Sequence, residues 1–242
     1  MNGAPPEMHL SIGGIEPFTT IDFPGRLAAV AFCRGCAWRC GYCHNAHLQA
    51  GATGNDWDAL AAFLDSRRGL LDGIVFSGGE PLLQGGLGVA LERCRQMGFA
   101  TGLHTAGSSP ARLERVLPLL DWVGFDIKAP FDAYPGVTGV PGSGDKARYS
   151  LCRLLDSGVD CEVRTTVDPD RLDREQVLAL AIELEALGVS RFVLQACRRD
   201  SPATRSDPLN DRELLRKVSA LFEDFELRGK PAQPDTPRAQ GA

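Results

Sequence analysis

The chain has no basic tract and no long apolar run, and each absence excludes a class of protein. Its net charge at pH 7 is −5 over 242 residues, so binding to nucleic acid through bulk electrostatics is not expected. No stretch approaches the roughly 18 consecutive apolar residues of a membrane-spanning helix. Residues 1–7 also lack the charged segment and apolar run of a signal peptide. We therefore expect a cytoplasmic protein, in a reducing compartment and without a membrane partner.

The eight cysteines are not expected to form disulfides in such a compartment. Cys33 ends a predicted strand and is expected to be structural. Four others stand singly in apolar segments, where a cysteine is usually a small buried core residue. These four are Cys94, Cys152, Cys161 and Cys197.

The remaining cysteines, Cys36, Cys40 and Cys43, lie close together with the spacing C-x3-C-x2-C. They fall in residues 32–45, which are predicted to form a loop. Three thiolates can converge on one metal centre but are one short of the four that enclose an iron–sulfur cluster. A cluster bound here would leave one iron open to a small molecule.

Two other metal sites agree with part of this loop. A structural zinc site would need a fourth ligand, for which His44 or His47 is available. The segment from Cys40 to His44 also matches C-x-x-C-H, the attachment signature of c-type haem. Haem attachment requires export, for which the chain carries no signal, and it leaves Cys36 without a role. The loop alone does not decide between a cluster and zinc.

Six apolar runs alternate with six segments of helical periodicity through the rest of the chain. The predicted strands cover residues 27–32, 73–77, 99–105, 122–127, 160–167 and 191–196. The predicted helices cover residues 56–68, 88–97, 110–117 and 146–157, the segment between Asp173 and Gly188, and residues 211–225. Asn55 is the expected cap of the first helix and Asp173 that of the fifth. Residues 12–25 are predicted to form a hairpin or lead-in strand, and residues 135–144 a long loop.

Unbroken strand–helix alternation predicts one parallel sheet wrapped by helices. Six units are too few for a full eight-fold barrel, so an open, partial (β/α)6 TIM-like barrel is the predicted fold. A doubly wound flat sheet is the alternative. We expect one domain over residues 11–228, with a flexible N-terminus over residues 1–10 and a disordered tail over residues 229–242.

Unusual residues follow the predicted strands at their carboxyl ends, where ligands bind in both folds. We therefore expect them to converge on one rim. After the cysteines these residues are Gly78-Gly79-Glu80, His104-Thr105, Asp126, Lys128, Arg164 and Gln195.

Several of these residues suit an amino-acid-like ligand. Gly78 and Gly79 let the backbone approach a ligand and expose its N–H and C=O groups, and Glu80 can accept a hydrogen bond from an ammonium. The alternative is a tight turn. Asp126 and Lys128, two apart on a strand, face the same side and offer an acceptor and a donor to a zwitterion. Their alternative is a rim salt bridge worth roughly 0–1 kcal/mol.

Arg164 stands on an otherwise apolar strand and needs a partner there, because buried arginines are seldom unpaired. Tyr42 could stack on a flat ring or simply pack within the loop. Neither residue identifies a ligand alone.

The combination of motifs is more specific than its parts. Cys36-x3-Cys40-x-Tyr42-Cys43, followed one strand later by Gly78-Gly79-Glu80-Pro81, resembles the radical S-adenosylmethionine (radical SAM) superfamily. Within it, Cys43-His44-Asn45 and Asp126-Ile127-Lys128 are similar to motifs of the glycyl radical enzyme activating enzymes. Over about residues 10–200, four further segments resemble the activating proteins of anaerobic ribonucleoside-triphosphate reductase. They are Ile12-Gly-Gly-Ile, Ile21-Asp-Phe-Pro-Gly25, Arg164-Thr-Thr-Val167 and Val193-Leu-Gln195.

This resemblance implies a role for each candidate residue. The three thiolates would hold one [4Fe–4S] cluster, whose open iron would chelate the amino and carboxylate groups of S-adenosylmethionine. Gly78-Gly79-Glu80 would meet the methionine amino group, and Asp126 and Lys128 its amino-acid end. Thr105 would be a further cofactor contact. Tyr42 and Gln195 would border the adenine, and Arg164 would face the ribose or carboxylate.

The resemblance also implies the reaction. An electron donor such as flavodoxin or ferredoxin reduces the cluster, and S-adenosylmethionine is cleaved to methionine and a 5′-deoxyadenosyl radical. The radical takes a hydrogen atom from a glycine of a partner enzyme, here expected to be anaerobic ribonucleotide reductase. The cofactors carry the chemistry, so no general acid or base is needed. The alternatives are a small-molecule substrate, as in 7-carboxy-7-deazaguanine synthase, or a zinc-binding interaction module.

One segment departs from the family pattern. Relatives tend to end the third strand with Asp-Thr-Asn-Gly, whereas this chain has His104-Thr105-Ala106-Gly107. The lost carboxylate puts a monovalent cation site there in doubt. His104 is either a substitute polar contact or an adapted rim residue.

Overall fold

The computed structural model describes residues 9–51, 54, 56–198 and 203–229. The strands are β1 (Ile12–Thr19), β2 (Ala28–Cys33), β3 (Gly73–Gly78), β4 (Ala100–Thr105), β5 (Trp122–Asp126), β6 (Cys161–Val167), β7 (Arg191–Ala196) and β8 (Asp224–Arg228). The helices are α1 (Trp57–Asp65), α2 (Leu87–Gln96), α3 (Pro110–Val116), α4 (Tyr134–Thr138), α5 (Ser143–Ser157), α6 (Arg174–Ala186) and α7 (Arg212–Ser219). Asn55, most of the predicted N-terminal segment and nearly all of the predicted tail lie outside the described residues.

All eight strands form one sheet in consecutive order from β1 to β8. The lead-in strand β1 is antiparallel to β2, with Thr19 opposite Ala28. From β2 to β8 every neighbouring pair is parallel. A doubly wound sheet would reverse its strand order at a switch point, and this sheet does not. The predicted partial barrel is therefore confirmed.

The end of the chain differs from the prediction. The closing helix expected over residues 211–225 is the shorter α7, and β8 follows it as a seventh parallel strand. Asp211 caps α7 by accepting a hydrogen bond from the Leu214 N–H at 3.0 Å. Phe225 then packs on Phe192 of β7, with ring centroids 6.4 Å apart. A strand of five residues is too short for the spacing of its apolar residues to distinguish it from the end of a helix.

The predicted long loop at residues 135–144 contains α4 and the start of α5. Pro135 stands in the first turn of α4, where its fixed φ suits a helix and its missing N–H is not needed. Gly139, at φ +69°, ends the helix in the left-handed conformation. The sequence interpretation was wrong because it treated this proline as a breaker. Elsewhere the strongest helix prediction is confirmed, since Asp173 and Gln176 form a capping box at α6.

The lower end of the barrel interior is closed by the turn between β1 and β2. Phe23 of that turn is buried and stacks on Trp122, with centroids 5.8 Å apart. Gly73 and Gly102 leave room for it, because a Cβ on either would lie 3.1 to 3.4 Å from the Phe23 ring. These residues form an apolar floor that closes the barrel near the amino ends of the parallel strands, opposite their carboxyl ends.

None of the eight cysteines forms a disulfide, as predicted. Cys33 and Cys94 are buried, but the prediction of burial is wrong for the other three single cysteines, which are half-buried. Cys152 lies on α5, Cys161 begins β6, and Cys197 follows β7 at the rim of the barrel, so none of them is enclosed by packing on all sides. None of the described helices combines the length and the apolar character needed to cross a bilayer.

Candidate active site

Every residue predicted to bind the cluster or S-adenosylmethionine lines one cavity of about 180 Å³ at the carboxyl ends of the parallel strands, whereas His47, the other candidate zinc ligand beside His44, does not. The position of this cavity follows from the barrel, in which these strand ends meet above the apolar floor. The predicted lining residues are Cys36, Cys40, Tyr42, Cys43, Gly78, Gly79, Glu80, Thr105, Asp126, Lys128, Arg164 and Gln195.

The first half of the cysteine loop is held by backbone hydrogen bonds at two positions. The Cys36 N–H donates to the Gln49 carbonyl at 3.2 Å, and the Arg39 N–H donates to the Thr138 carbonyl of α4 at 2.8 Å. Between them, the buried Trp38 packs edge-on against Tyr134 of α4, with centroids 5.7 Å apart. The helix that sequence analysis missed is thus the support of the loop that it found.

The two adjacent glycines serve the protein backbone more than a ligand. Gly79 donates its N–H to the Cys33 carbonyl at 2.9 Å, and Glu80 donates to the Gly35 carbonyl at 2.8 Å. A Cβ on Gly78 or Gly79 would overlap the backbone of Cys33 or Gly35, and Gly78 has φ +111°. The expectation of an exposed N–H group is therefore wrong at Gly79, because this bond fastens β3 to the base of the cysteine loop, whereas the expected role of the carbonyl groups stays a prediction.

Glu80 ties the ends of β3 and β4 together. Its side chain is 2% exposed and accepts hydrogen bonds from Thr105 Oγ1 at 2.6 Å and from the Ala106 N–H at 3.2 Å. It also accepts from the Leu82 N–H at 3.2 Å. Burial raises the pKa of Glu80, while these hydrogen bonds act in the opposite direction. Thr105 therefore orients Glu80 as well as lining the cavity.

Two buried cations share one carboxylate on the opposite wall. Arg164 Nε donates to Asp126 Oδ1 at 2.9 Å, and Lys128 Nζ lies 3.8 Å from Asp126 Oδ2. The salt bridge between Lys128 and Asp126 that the alternative interpretation expected is present, but the Arg164 and Lys128 side chains are only 11% and 16% exposed, against 34% for Asp126, so both cations are largely shielded from solvent. The group carries one net positive charge, which suits an anionic ligand.

The pKa shifts of Asp126 and Lys128 keep both side chains charged. Burial acts to raise the pKa of Asp126, but Arg164 and Lys128 outweigh it and the pKa is lowered. Burial acts to lower the pKa of Lys128, but its neighbours Tyr42, Asp126 and Cys40 raise it overall. Lys128 Nζ also lies 5.9 Å from the centroid of the Tyr42 ring.

His44 does not complete a ligand set. Its Nε2 lies 3.2 Å from the Arg198 carbonyl and 3.9 Å from Cys197 Sγ, so the ring contacts the end of β7. Cys197 is thereby a rim residue that sequence analysis placed in the core. Its place directly after Ala196, the last residue of β7, was the signal for this position.

Sequence analysis missed three further residues of the site. Thr166 accepts a hydrogen bond from Gln195 Nε2 at 2.8 Å, and its place two residues after Arg164 on one strand face could have indicated it. Asn45 Nδ2 lies 3.4 Å from the Gly78 carbonyl. Gly124 accommodates Arg164, because a Cβ there would lie 2.8 Å from the guanidinium carbon. No local pattern predicts the role of Gly124.

The donor set fits a cluster better than a single ion. Burial raises the pKa of Cys36 to about 11 and also raises that of Cys40, so both thiols would release protons on binding metal. Within the described part of the chain, no three His, Cys, Asp or Glu side chains converge closely enough to hold one ion. A cluster offers each thiolate a different iron, so its ligands need not converge. The Tyr42 hydroxyl, buried without a partner among the described residues, adds a polar atom at the same cavity.

Known proteins resemble this chain in sequence. Residues 30–182 match the family described as the radical SAM superfamily. A Methanocaldococcus jannaschii protein assigned as a glycyl-radical enzyme activating enzyme is 32% identical over 189 residues, which are 72% of this chain and 75% of the relative. The pyruvate formate-lyase-activating enzyme of Clostridium pasteurianum is 31% identical over 183 residues, 70% of this chain and 74% of the relative.

A solved structure supports the same fold. Streptococcus suis SuiB bound to S-adenosylmethionine has a TM-score of 0.60 at 16% identity, covering 81% of this chain and 45% of that one. This likeness shows the fold alone. With the family match and the two relatives, the conclusion is that this chain belongs to the glycyl-radical enzyme activating enzymes of the radical SAM superfamily, whose cofactors are a [4Fe–4S] cluster and S-adenosylmethionine.

Proposed function

We propose that the partner of this activating enzyme is anaerobic ribonucleoside-triphosphate reductase. The supporting observation is the position in the fold of the segments that resemble reductase activators. Phe23, in Ile21-Asp-Phe-Pro-Gly25, forms the floor of the barrel, while Arg164 and Gln195 line the cavity. Phe23, Arg164 and Gln195 thus place part of each of these three segments in the interior of the barrel, although Ile21 at the start of the first is 80% exposed.

In this proposal Cys36, Cys40 and Cys43 hold the cluster. When bound, the cluster and S-adenosylmethionine supply a 5′-deoxyadenosyl radical that takes a hydrogen atom from a glycine of the partner. The protein's own contribution is position and charge. The electron donor, flavodoxin or ferredoxin, and the cytoplasmic location stay predictions.

The charged wall is assigned to the amino-acid end of S-adenosylmethionine. The net positive charge of Arg164, Lys128 and Asp126 matches its carboxylate, and Asp126 can also accept from its ammonium. Because the N–H groups of Gly79 and Glu80 are already bonded, this strand end would meet the ammonium through carbonyl oxygens. Tyr42 and Gln195, which line the same cavity, would border the adenine.

The test is radical transfer to defined partners. The protein is reconstituted with iron and sulfide without oxygen, reduced, and mixed with S-adenosylmethionine and either the reductase or pyruvate formate-lyase. We expect the doublet of a glycyl radical in the electron-spin-resonance spectrum of the reductase mixture. The Cys40→Ser variant, which lacks one proposed cluster ligand, should give no doublet.

Two results would contradict the proposal in different ways. A doublet with pyruvate formate-lyase alone would replace the partner and leave the activity intact. Formation of free 5′-deoxyadenosine without a doublet in any mixture would instead favour a small-molecule substrate, as in 7-carboxy-7-deazaguanine synthase.

A further inference from the structure

His104 connects the floor of the barrel to the charged wall of the site. Its Nε2 lies 3.0 Å from the Asp22 carbonyl, in the turn that carries Phe23. The same nitrogen lies 3.3 Å from Arg164 Nη1. The ring also meets Trp122 edge-on, with centroids 5.5 Å apart. The Asp22 carbonyl and the Trp122 ring therefore hold His104 on the side of the floor, and Arg164 contacts it on the side of the cavity.

The turn that holds the Asp22 carbonyl is itself rigidly anchored. Thr19 Oγ1 donates to Asp22 Oδ2 at 2.6 Å, and the Arg26 N–H donates to the Phe23 carbonyl at 3.1 Å. Phe23 stacks on Trp122, the residue that also contacts the His104 ring. The position of the imidazole is thus set by the fold and not by solvent.

The imidazole is neutral, which limits what its Nε2 can do. Burial, and then the charge of Arg164, lower the pKa of His104 to about 3. A neutral ring nitrogen either donates or accepts, so Nε2 cannot donate to Asp22 and accept from Arg164 together. The shorter contact favours donation to Asp22. In that tautomer His104 borders the guanidinium without consuming one of its N–H groups.

Arg164 is confined on its remaining sides. Nε donates to Asp126 at 2.9 Å, and Nη2 approaches the Gly124 carbonyl at 3.4 Å. A guanidinium has five N–H groups in a fixed plane, so these contacts leave others to face the cavity that Arg164 lines. Which ligand atoms these free N–H groups can reach depends on where the guanidinium plane lies in the cavity. His104 borders one side of that plane.

We propose that His104 is a positioning residue for Arg164, holding the guanidinium so that its free N–H groups meet the carboxylate of S-adenosylmethionine. This inference rests on the proposed role of Arg164. His104 also lines the cavity, and its inferred effect on the cofactor acts through its contact with Arg164. Its contacts with the Asp22 carbonyl, the Trp122 ring and Arg164 make it a polar support and not an adapted rim residue.

The test is the affinity for S-adenosylmethionine, measured by anaerobic equilibrium dialysis with the oxidised, cluster-loaded protein. We expect His104→Leu to raise the dissociation constant at least about tenfold, which corresponds to about 1.4 kcal/mol. His104→Gln, whose amide N–H can reach the Asp22 carbonyl as Nε2 does, should recover most of the affinity. Iron content and the thermal midpoint of each variant show that fold and cluster are retained.

Arg164→Met is the reference variant, and the double variant completes a cycle. If His104 acts through Arg164, the double variant binds no more weakly than Arg164→Met alone. Additive losses of affinity in the double variant would overturn the positioning role. Wild-type affinity in His104→Leu together with weak binding in Arg164→Met would also overturn it, and both results would leave the proposed site standing. Wild-type affinity in Arg164→Met would remove the proposed role of Arg164 and this inference with it.

Discussion

The two ends of the barrel interior differ although the same strands line both. The lower end is an apolar cluster in which Phe23 and Trp122 pack with Val30 and Val75. The upper end is a cavity bordered by thiols, carboxylates and cations. Strand β5 shows the change in steps of two residues, because Trp122 belongs to the floor, Gly124 leaves space, and Asp126 carries charge.

This difference shows how buried charge is accommodated in a small barrel. The floor excludes solvent from one side and provides the packing that holds the strands. The charged residues above it neutralise one another in part, which limits the cost of burying them. Stability should therefore depend on the lower end, and cofactor binding on the upper end. Substitutions at each end test this division.

The largest expected effect is at the upper end, where Gly79→Ala should abolish iron binding. The new Cβ would overlap the Gly35 carbonyl at the base of the cysteine loop. Either β3 or the loop must move, and the three thiolates then lose their common arrangement. Iron content and visible absorbance after anaerobic reconstitution measure the result.

Gly136→Ala is the matched control, because no atom lies within 4 Å of the Cβ position at Gly136. That variant should bind iron as the wild type does. Full iron content in Gly79→Ala would show that the close approach of β3 and the loop is not required.

At the lower end, Phe23→Ala should cost about 3–5 kcal/mol in the free energy of unfolding, because it leaves a cavity under the sheet. The ring is 2% exposed and stacks on Trp122. Urea unfolding of the metal-free protein measures the loss. Phe18→Ala, in the neighbouring strand at 54% exposure, is the control and should change stability little. Equal losses for both would mean that Phe23 does not close the barrel.

The sequence predicts much of the upper end, since chemistry-bearing residues placed after apolar runs must meet where parallel strands end. It does not predict what these residues bond to. The Gly79 N–H is bonded to the end of β2 and the Glu80 N–H to the cysteine loop, and Gly124 is required by an arginine on β6. Such contacts join residues far apart in the chain, so local periodicity carries no trace of them. The misassigned segments, α4 and β8, are five residues each and too short for their patterns to be distinctive.

The smallest expected effect is a pH dependence carried by His104, which lies between the two ends. Its pKa is about 3 in the folded protein, lowered by burial and then by Arg164, against an ordinary value of 6.5. The groups that act on it are Arg164, Arg228 and Asp126, and the two arginines oppose protonation.

The sign of this dependence follows from which state binds the proton. Between pH 6.5 and pH 3 the unfolded chain protonates His104 and the folded protein does not, so stability falls as pH falls through this window. Lowering the pH from 6.5 to 5.5 should remove about 1 kcal/mol of unfolding free energy through this group, since one pKa unit is worth about 1.4 kcal/mol. His104→Gln should lack that part of the slope, whereas His47→Gln, at an exposed position, should keep it. Urea unfolding of the metal-free protein at both pH values measures the difference, and identical slopes in wild type and His104→Gln would mean that the histidine is not held neutral between the floor and the charged wall.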